Sequence, residues 1–440
     1  MHHSVRLYRS VLRVAPAILK AIPTEALKSA FHPDALLRAA ESFGTPAYVY
    51  SEQVIRAKCE ELRRHLTGVP YRLLYAMKAN SSPAVLRIIL EEGLGIDAVS
   101  PGELHLALKV GFPPDKILFS ANNMTDAEMQ DAAALGVLLN IGELSRLEKL
   151  GRYAPGSSVC VRLNPQVGAG HHEHVITAGV HSKFGIPVEQ AGEVLDMAER
   201  HGLQIIGLHQ HIGSGIMSTT TLWQAMSVLL DAAHGFPHVH FLNFGGGLGI
   251  PYGPDDEPID LENFGRRILN PLQTFADAHP SENLSFWFEP GRFLSAEAGV
   301  LLMRVNTLKT NRDRVFAGTD SGMNHLVRPA IYGSYHDIFN LSNPDGALSE
   351  YDITGNICES GDVFARSRNV QEIREGDVLA VLDVGAYGMA MASQYNMRPL
   401  PAEALLTSNG ELQLVRRRRS YEELVDDVLT DAFEVLAPSA

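Results

Sequence analysis

Eight short apolar runs, separated by helical patterns, occupy the chain between residues 70 and 290. Apolar residues recur every three or four positions in the segments between the runs, which is typical of alternating βα units. The runs are residues 72–77, 96–100, 116–120, 136–140, 158–164, 203–209, 238–244 and 284–290. Eight such units predict an α/β protein built on a closed, TIM-like (β/α)8 barrel, although spacing alone does not exclude a doubly wound open sheet.

After residue 297 the pattern changes to strand-like runs without long helices between them. These runs are residues 299–310, 314–320, 377–388 and 411–420. They predict a C-terminal antiparallel β domain, and residues 420–436 form one final helical pattern. A chain of 440 residues is long enough for two domains, each with its own core.

Composition restricts the class of partner. The chain has 37 Lys and Arg against 51 Asp and Glu, a net charge of −14, which argues against nucleic acid or an anionic membrane as the main partner. Cys59, Cys160 and Cys358 are an odd number of cysteines at wide spacing, so we expect neither a disulfide framework nor a metal site. A small-molecule enzyme in a reducing, cytoplasmic compartment is therefore expected.

The N-terminal segment, residues 1–23, is basic and amphipathic in pattern. Arg13 and Lys20 interrupt its apolar run, so it does not resemble the core of a signal peptide. We expect a helix that packs on its own protein, with docking to a membrane surface as the alternative. No apolar stretch of 18 residues occurs in the sequence, so no membrane span is predicted.

Unusual polar and glycine residues stand at the C-terminal ends of the predicted strands. In a (β/α)8 barrel these ends form one rim, which is the face that carries active sites. The residues are Lys78, Asp97, His209, His211, Gly245, Gly246, Gly247, Glu289 and Arg292.

The rim predicts a phosphate site beside a reactive amine. Barrels commonly bind phosphate after the seventh and eighth strands, where Gly245–Gly247 lie, although such a loop can also be a simple tight turn. A partly buried Lys78 would have a lowered pKa and could condense with an aldehyde; alternatively it reaches solvent or pairs with Asp97. Pyridoxal 5'-phosphate carries both an aldehyde and a phosphate, and so matches this pair of features.

Three further residues fit the same cofactor. Glu289 could keep a pyridinium nitrogen protonated, His211 could stack on the ring, and Ser214 could donate to the phosphate. Each also has an ordinary structural explanation, since His211 could be a satisfied core histidine and Glu289 could pair with an arginine. Their placement on one rim favours the cofactor.

These motifs resemble those of the fold-type III pyridoxal-phosphate decarboxylases, the ornithine/diaminopimelate/arginine decarboxylase family. The resemblance extends from about residue 45 to residue 430. It is carried by YAMKAN, IDAVSPGEL, SKFGI, HQHIGSG, NFGGGLGIPY, EPGRFLSAEAGVLL, DSGMNHLVRPAIYGSYH, ICESGDVFA and GAYGMAMASQYNMRPLPAE. It implies a barrel of residues 53–297 and a β domain formed by residues 1–52 plus 298–440.

The resemblance also implies roles for individual residues. Lys78 matches the Schiff-base lysine, His211 the residue on the cofactor ring, and Glu289 the partner of the ring nitrogen. The cofactor-binding positions further include Asp97, Ser214, Gly245, Gly246, Gly247 and Tyr387. The positions that hold the far end of the substrate are Arg292, Arg328, Tyr332 and Glu359, with Tyr387 beside them. Cys358 and Glu359 match a pair contributed by the other subunit of a homodimer with shared active sites.

The implied reaction is decarboxylation of meso-diaminopimelate at its D-centre, which gives L-lysine and CO2. Two arginines would clamp the distal carboxylate, which ornithine lacks, and Glu359 would neutralise the distal ammonium. Cys358, or else Lys78, would return the proton.

Departures from the family pattern leave alternatives open. His325 and Met397 replace an acid and a small polar residue that the family often has, and the N-terminal segment is longer than usual. A decarboxylase of D-lysine, D-ornithine or a siderophore-pathway diamino acid, a catalytically silent cofactor-binding homologue, and an amino-acid racemase are the competing hypotheses.

Overall fold

The computed structural model describes residues 31–168, 177–179, 182–281 and 283–430. The described chain begins with helix α1 (Pro33–Phe43), strand β1 (Ala47–Ser51) and helix α2 (Glu52–Leu66). The predicted N-terminal helix lies outside the described residues, as does the end of the predicted C-terminal helix. Among the helices in the described ranges, none combines the length and apolarity that a membrane crossing requires.

A closed parallel barrel follows these first elements. Its eight strands in the described chain are β2 (Tyr71–Ala76), β3 (Gly95–Ala98), β4 (Ile117–Phe119), β5 (Leu138–Ile141), β6 (Ser158–Asn164), β8 (Gln204–His209), β9 (Phe241–Asn243) and β10 (Ser285–Phe288), with the short β7 (Ile186–Pro187) added beside β6. Their order is β5-β4-β3-β2-β10-β9-β8-β6, and β5 pairs with β6. Because the two ends of the sheet pair with each other, the predicted barrel is confirmed and the open sheet is excluded.

Helices cover the outside of the barrel. They are α3 (Pro83–Glu91), α4 (Pro101–Val110), α5 (Asp126–Ala134), α6 (Leu144–Tyr153), α7 (Ala191–His201), α8 (Thr219–Ala233) and α9 (Leu261–Ala278), whereas the single turn α10 (Arg292–Ser295), after β10, is buried. Local capping explains where several begin: Ser100 accepts from the backbone N–H of Glu103, and Thr125 and Glu128 form a reciprocal capping box. The predicted helices are thus confirmed, and side-chain caps mark the start of several of them.

The interior of the barrel is filled at the end away from the rim. One apolar cluster takes side chains from seven of the eight described barrel strands: Leu74, Leu118, Leu138, Cys160, Ile206, Phe241 and Trp287. The rings of Phe241 and Trp287 stack with centroids 3.7 Å apart. A Cβ on Gly207 would lie 2.0 Å from the ring of Phe241, so this strand position has no room for a side chain. Polar chemistry is therefore confined to the opposite end of the barrel.

The second sheet is built mainly from the C-terminal part of the chain. Its strands after the barrel are β11 (Gly299–Asn311), β12 (Arg314–Thr319), β13 (Ile338–Asn340), β14 (Leu348–Thr354), β15 (Val363–Gln371), β16 (Val378–Val381), β17 (Ala402–Leu406) and β18 (Leu412–Arg416). The main order is β15-β14-β12-β11-β1-β17-β18, with β16 joined to β11 and β13. Most pairings are antiparallel, as predicted, but β1–β17 and β12–β14 are parallel, so the sheet is mixed. Two helices complete this part: α11 (Arg328–Tyr332) and α12 (Tyr421–Leu429).

A loop after β16 brings this part of the chain onto the barrel rim. The backbone N–H of Tyr387 donates to the carbonyl of Ala79 at 2.8 Å, and the side chain of Asn80 donates to the carbonyl of Gly385 at 2.8 Å. A Cβ on Gly385 would lie 1.9 Å from the carbonyl oxygen of Ser295, so only glycine permits this approach. The loop therefore lies directly against the turn that carries Lys78.

Candidate active site

Lys78 and Asp97 form an ion pair at the rim. Lys78 lies in the 3₁₀ turn Met77–Ala79 directly after β2, and Asp97 lies in the adjacent strand, where Ala76 pairs with it. The Lys78 Nζ is 2.5 Å from Asp97 Oδ2; Asp97 is 1% exposed, while the lysine side chain is 33% exposed. The other carboxylate oxygen, Oδ1, is buried without a hydrogen-bond partner in the described structure. This oxygen is available to a ligand.

The expectation that burial lowers the pKa of Lys78 is wrong for this chain. Burial does favour the neutral amine, but the charges of Asp97 and Glu289 oppose it and raise the pKa of Lys78 above its ordinary value. The expectation rested on burial alone, whereas the pairing of β2 with β3 brings a carboxylate to the same amine. The lysine is therefore an ammonium until a ligand alters this pair.

Glu289 is buried at the start of the loop after β10 and has two polar partners. Asn243 Nδ2 donates to its Oε1 at 2.8 Å, and His209 Nε2 lies 3.1 Å from Oε1. Burial alone would raise the pKa of Glu289, but His209 and Lys78 outweigh it and hold this pKa below its ordinary value. Glu289 is therefore an anion that can hold a proton on a neighbouring ring nitrogen.

The glycine triplet, Gly245–Gly247, is hydrogen-bonded to His211. The backbone N–H of Gly246 donates to His211 Nδ1 at 3.1 Å, so the neutral ring carries its proton on Nε2. Burial and the nearby Arg162 lower the pKa of His211 well below its ordinary value, which keeps the ring neutral. A Cβ on Gly246 would lie 2.2 Å from the carbonyl oxygen of Glu289, and Gly245 has φ +70°. Only glycine fits this close approach of two backbone segments.

Arg292 connects the barrel rim to the loop after β16. Its Nε and Nη2 donate to Ser214 Oγ at 3.2 and 3.0 Å, and its Nη1 donates to Tyr252 Oη at 2.7 Å. Its guanidinium lies 4.7 Å from the ring centroid of Tyr387. The side chain therefore contacts Ser214 and Tyr387, two predicted cofactor-binding residues.

Arg328 lies beside Arg292 on helix α11 and is 1% exposed. Its guanidinium is 4.3 Å from the ring centroid of Tyr252, and the guanidinium of Arg292 is 5.6 Å from the same centroid. Its hydrogen-bond partners are His336 Nε2 at 3.2 Å and Ser334 Oγ at 3.3 Å. The two arginines of the predicted clamp therefore lie beside the same tyrosine ring. Tyr332, at the end of α11, is half-buried and contributes to the electrostatic environment of Arg292.

The two predicted inter-subunit residues lie elsewhere on the surface of the chain. Cys358 and Glu359 are both exposed. Cys358 Sγ is 3.4 Å from Asn396 Oδ1, and Tyr395 donates to Glu359 Oε1 at 2.5 Å. Within one chain, the side chains of Cys358 and Glu359 therefore contact the turn at residues 395–396 and not the barrel rim.

The two residues that depart from the family pattern lie in different surroundings, His325 in the interior and Met397 at the surface. His325 is buried; its Nδ1 is 3.2 Å from Ser321 Oγ, and its backbone carbonyl accepts from Tyr48 at 2.7 Å. Burial lowers the pKa of His325 to about 4. Met397 is 49% exposed and has a positive φ of 55° in the turn beside Cys358.

Four residues of the site were not assigned a role from the sequence. Tyr252 and His336 contact the arginines, and His209 and Asn243 contact Glu289. His209 and Asn243 each end a strand, two positions before a predicted site residue, so strand alternation could have placed them on the inner face. Tyr252 and His336 lie in loops, where no such period exists.

The arrangement fits pyridoxal phosphate. Lys78 carries the amine that an aldehyde requires, and the charge of the buried Glu289 acts on that same amine. Asp97 Oδ1 lacks a hydrogen-bond partner in the described structure. Ser214 follows Gly213, whose carbonyl oxygen lies beside Gly247, and the Ser214 hydroxyl is a donor that suits a phosphate. A lysine at a strand end, a buried carboxylate and a glycine-rich turn beside a serine hydroxyl on one barrel rim define a pyridoxal-phosphate enzyme.

Comparison with known proteins gives the family. Residues 52–296 match the family "Pyridoxal-dependent decarboxylase, pyridoxal binding domain". A diaminopimelate decarboxylase of Methanothermobacter thermautotrophicus is 46% identical over 396 residues, which cover 88% of this chain and 92% of that protein. The same-named protein of Escherichia coli K12 is 36% identical, covering 89% of this chain and 95% of that one. The chain belongs to the pyridoxal-dependent decarboxylases, and its cofactor is pyridoxal 5'-phosphate.

Solved structures agree with this assignment. A crystal structure of diaminopimelate decarboxylase superposes with a TM-score of 0.84 at 36% identity, covering 90% of this chain and 96% of that one. The diaminopimelate decarboxylase of Helicobacter pylori, complexed with L-lysine, gives a TM-score of 0.83 at 29% identity, covering 90% of this chain and 100% of that one. The barrel and the mixed sheet are thus both shared with these decarboxylases.

Proposed function

We propose that this enzyme decarboxylates meso-2,6-diaminopimelate at its D-centre, releasing CO2 and L-lysine, the last step of lysine biosynthesis. The relatives reported above are named diaminopimelate decarboxylases. The buried pair of arginines supports the same substrate, because diaminopimelate has a second carboxylate far from the carbon that loses CO2. The free thiols of Cys59 and Cys160 suit a reducing compartment, and we place the enzyme in the cytoplasm.

The observation that carries the proposal is a pair of buried guanidiniums with neutral partners. Arg292 is 5% exposed and Arg328 is 1% exposed. Their hydrogen bonds within the described chain go to hydroxyl groups and an imidazole, with no carboxylate among them. A buried cation without an anion is costly, so such a site stabilises a bound carboxylate strongly. Forked, charge-assisted hydrogen bonds would then select a distal carboxylate over the plain diamine end of ornithine.

Individual residues of this chain are assigned to binding the cofactor. The cofactor, when bound, accepts the electron pair left behind as CO2 departs. Lys78 Nζ and Asp97 would hold its aldehyde end, while Gly245–Gly247, Ser214 and Tyr387 would hold its phosphate. Glu289 would keep a proton on the ring nitrogen, and the neutral ring of His211 would contact the cofactor ring.

We propose that a homodimer completes the site. Cys358 and Glu359 are exposed in one chain, and their side chains contact Asn396 and Tyr395 rather than the rim. In the dimer, Cys358 of the partner subunit would supply the proton to the carbon through its Sγ, and Glu359 of the partner subunit would neutralise the distal ammonium. Lys78 Nζ is the second candidate for the proton donor.

A substrate panel tests the function. The cofactor-loaded protein is given meso-diaminopimelate, D-lysine, D-ornithine and L-ornithine separately, and CO2 release and the chirality of the product are measured. We expect rapid CO2 release and L-lysine from meso-diaminopimelate, with the other three substrates much slower. A Lys78→Ala variant is the matched control, because it should lack the visible band of the Schiff base, and borohydride, which reduces that C=N bond and attaches the cofactor to the lysine in the wild type, should attach none to the variant.

The other hypotheses give different results in the same panel. Faster turnover of D-lysine or D-ornithine would make the enzyme a decarboxylase of that diamino acid. Racemisation without CO2 would indicate a racemase. A dimer loaded with cofactor that releases no CO2 from any of the four would refute the proposal.

A further inference from the structure

Arg328 is held by acceptors that carry no charge. One acceptor is His336 Nε2 at 3.2 Å and the other is Ser334 Oγ at 3.3 Å. The ring of Tyr252 lies 4.3 Å from the guanidinium and adds a cation–π contact. These two hydrogen bonds use two of the five N–H donors of the guanidinium, and the Tyr252 hydroxyl is a third uncharged partner.

His336 is fixed in one tautomer by its surroundings. It is 1% exposed, and its Nδ1 lies 2.8 Å from the carbonyl oxygen of Leu382. Because a carbonyl oxygen only accepts hydrogen bonds, Nδ1 carries the proton and Nε2 of the neutral ring is an acceptor. This tautomer agrees with the contact to Arg328, because a guanidinium only donates. Burial, together with the charge of Arg328, lowers the pKa of His336 to about 3, so the ring is neutral at physiological pH.

The position of His336 is fixed on more than one side. Arg368 Nη1 donates to its backbone carbonyl at 2.7 Å, and its ring meets the ring of Tyr252 edge-on with centroids 5.3 Å apart. Leu382 directly follows β16, so the anchor for Nδ1 is the end of a paired strand. The acceptor nitrogen that faces Arg328 is therefore held by rigid elements.

We propose that His336 is a positioning residue for substrate recognition, which holds Arg328 through a neutral acceptor and leaves its charge for the distal carboxylate. This inference rests on the proposed function, since it concerns how that carboxylate is bound. A carboxylate at position 336 would pair with Arg328 and compete with the substrate, and an apolar residue would leave the guanidinium free to turn away. A neutral imidazole avoids both effects.

Two substitutions separate the two ends of the imidazole. His336→Gln keeps a carbonyl oxygen near the position of Nε2 and so retains an acceptor for Arg328. His336→Asn keeps an amide N–H near the position of Nδ1 and so retains the anchor to Leu382, but does not reach Arg328. In the cofactor-loaded enzyme we expect His336→Asn to raise KM for meso-diaminopimelate on the order of tenfold with kcat changed less than about twofold, while His336→Gln raises KM by less than about threefold.

Ligand affinity gives a readout that does not depend on turnover. L-lysine retains the carboxylate of the distal end, whereas cadaverine has no carboxylate. By calorimetry on the cofactor-loaded enzyme, His336→Asn should weaken L-lysine binding on the order of tenfold and leave cadaverine binding unchanged. Thermal unfolding and the visible band of the cofactor are recorded for both variants.

The outcomes separate this inference from the proposed function. Failure of the wild type to release CO2 from meso-diaminopimelate refutes the function, while the L-lysine measurements still test the role of His336. Equal losses in the Asn and Gln variants, whether in KM, affinity or stability, would overturn the inference, because they would assign His336 to folding alone. The reverse order, with Gln more damaging than Asn, would overturn it as well.

Discussion

Replacing Glu289 with Gln removes one charge from the centre of the site and almost no volume. The carboxylate is 3% exposed and accepts a hydrogen bond from Asn243 at 2.8 Å. A glutamine can still accept from Asn243, so the fold around the strand end should be retained. The neutral amide has no negative charge, so it cannot stabilise a proton on a neighbouring ring nitrogen as the carboxylate does.

The size of the effect follows from the burial of this carboxylate. A hydrogen bond to a charged group contributes about 1.5–3 kcal/mol, and solvent does not screen it at a site with so little exposure. Since about 1.36 kcal/mol corresponds to a factor of ten in rate, kcat should fall roughly 10- to 150-fold. KM should change little, because the residues proposed to bind the distal end of the substrate, Arg292 and Arg328, are unchanged.

The assay is CO2 release from saturating meso-diaminopimelate with cofactor in excess, together with the visible spectrum of the bound cofactor. Glu289→Asp is the control, since it keeps the charge and shortens the side chain by one methylene. It should retain more activity than Glu289→Gln. A Gln variant that holds the cofactor and turns over within about twofold of the wild type would refute the role given to this carboxylate.

Three further substitutions test other parts of the site. Gly246→Ala should weaken cofactor binding at least about tenfold, because its Cβ would lie 2.2 Å from a backbone carbonyl, while Gly192→Ala, which meets nothing within 4 Å, should bind normally; equal affinities would contradict this. Asp97 raises the pKa of Lys78, so cofactor uptake by the cofactor-free protein should accelerate as pH rises. Asp97→Asn should lower that pKa and shift the acceleration to lower pH in stopped-flow absorbance, and identical pH profiles would count against it. Tyr252→Phe removes the acceptor of a 2.7 Å bond and should raise KM roughly threefold to thirtyfold at unchanged kcat; a fall in kcat alone would contradict this.

Much of the barrel was predictable because its signals are local. The eight runs appear as β2 to β6 and β8 to β10, and the helices between them follow their apolar periods. Strand ends meet on one rim of any such barrel, so Lys78, His211, the glycine triplet and Glu289 could be placed together from their positions along the chain. The mixed character of the second sheet was not predictable, since β1 joins strands more than 200 residues away in sequence.

The charge state of the site was harder to predict than its composition. The pKa of Lys78 depends on which acid faces it, and Asp97 does so only because β2 and β3 pair in one register. Tyr252 and His336 went unassigned because loop residues carry no periodic signal that shows their neighbours. The 8-residue separation of Arg328 and His336 likewise says nothing about tautomer.

By itself the sequence determined the eight βα units and the residues at their strand ends, because periodicity and strand ends are local properties of the chain, while the pairing of β5 with β6 decided that the sheet closes. The resemblance of its motifs then pointed to the cofactor. The tertiary structure decided how these residues are used: which carboxylate meets Lys78, which tyrosine lies between the two arginines, and which nitrogen of His336 accepts. These features depend on contacts between distant segments in a buried site, where small changes in partner or distance decide charge and hydrogen bonding.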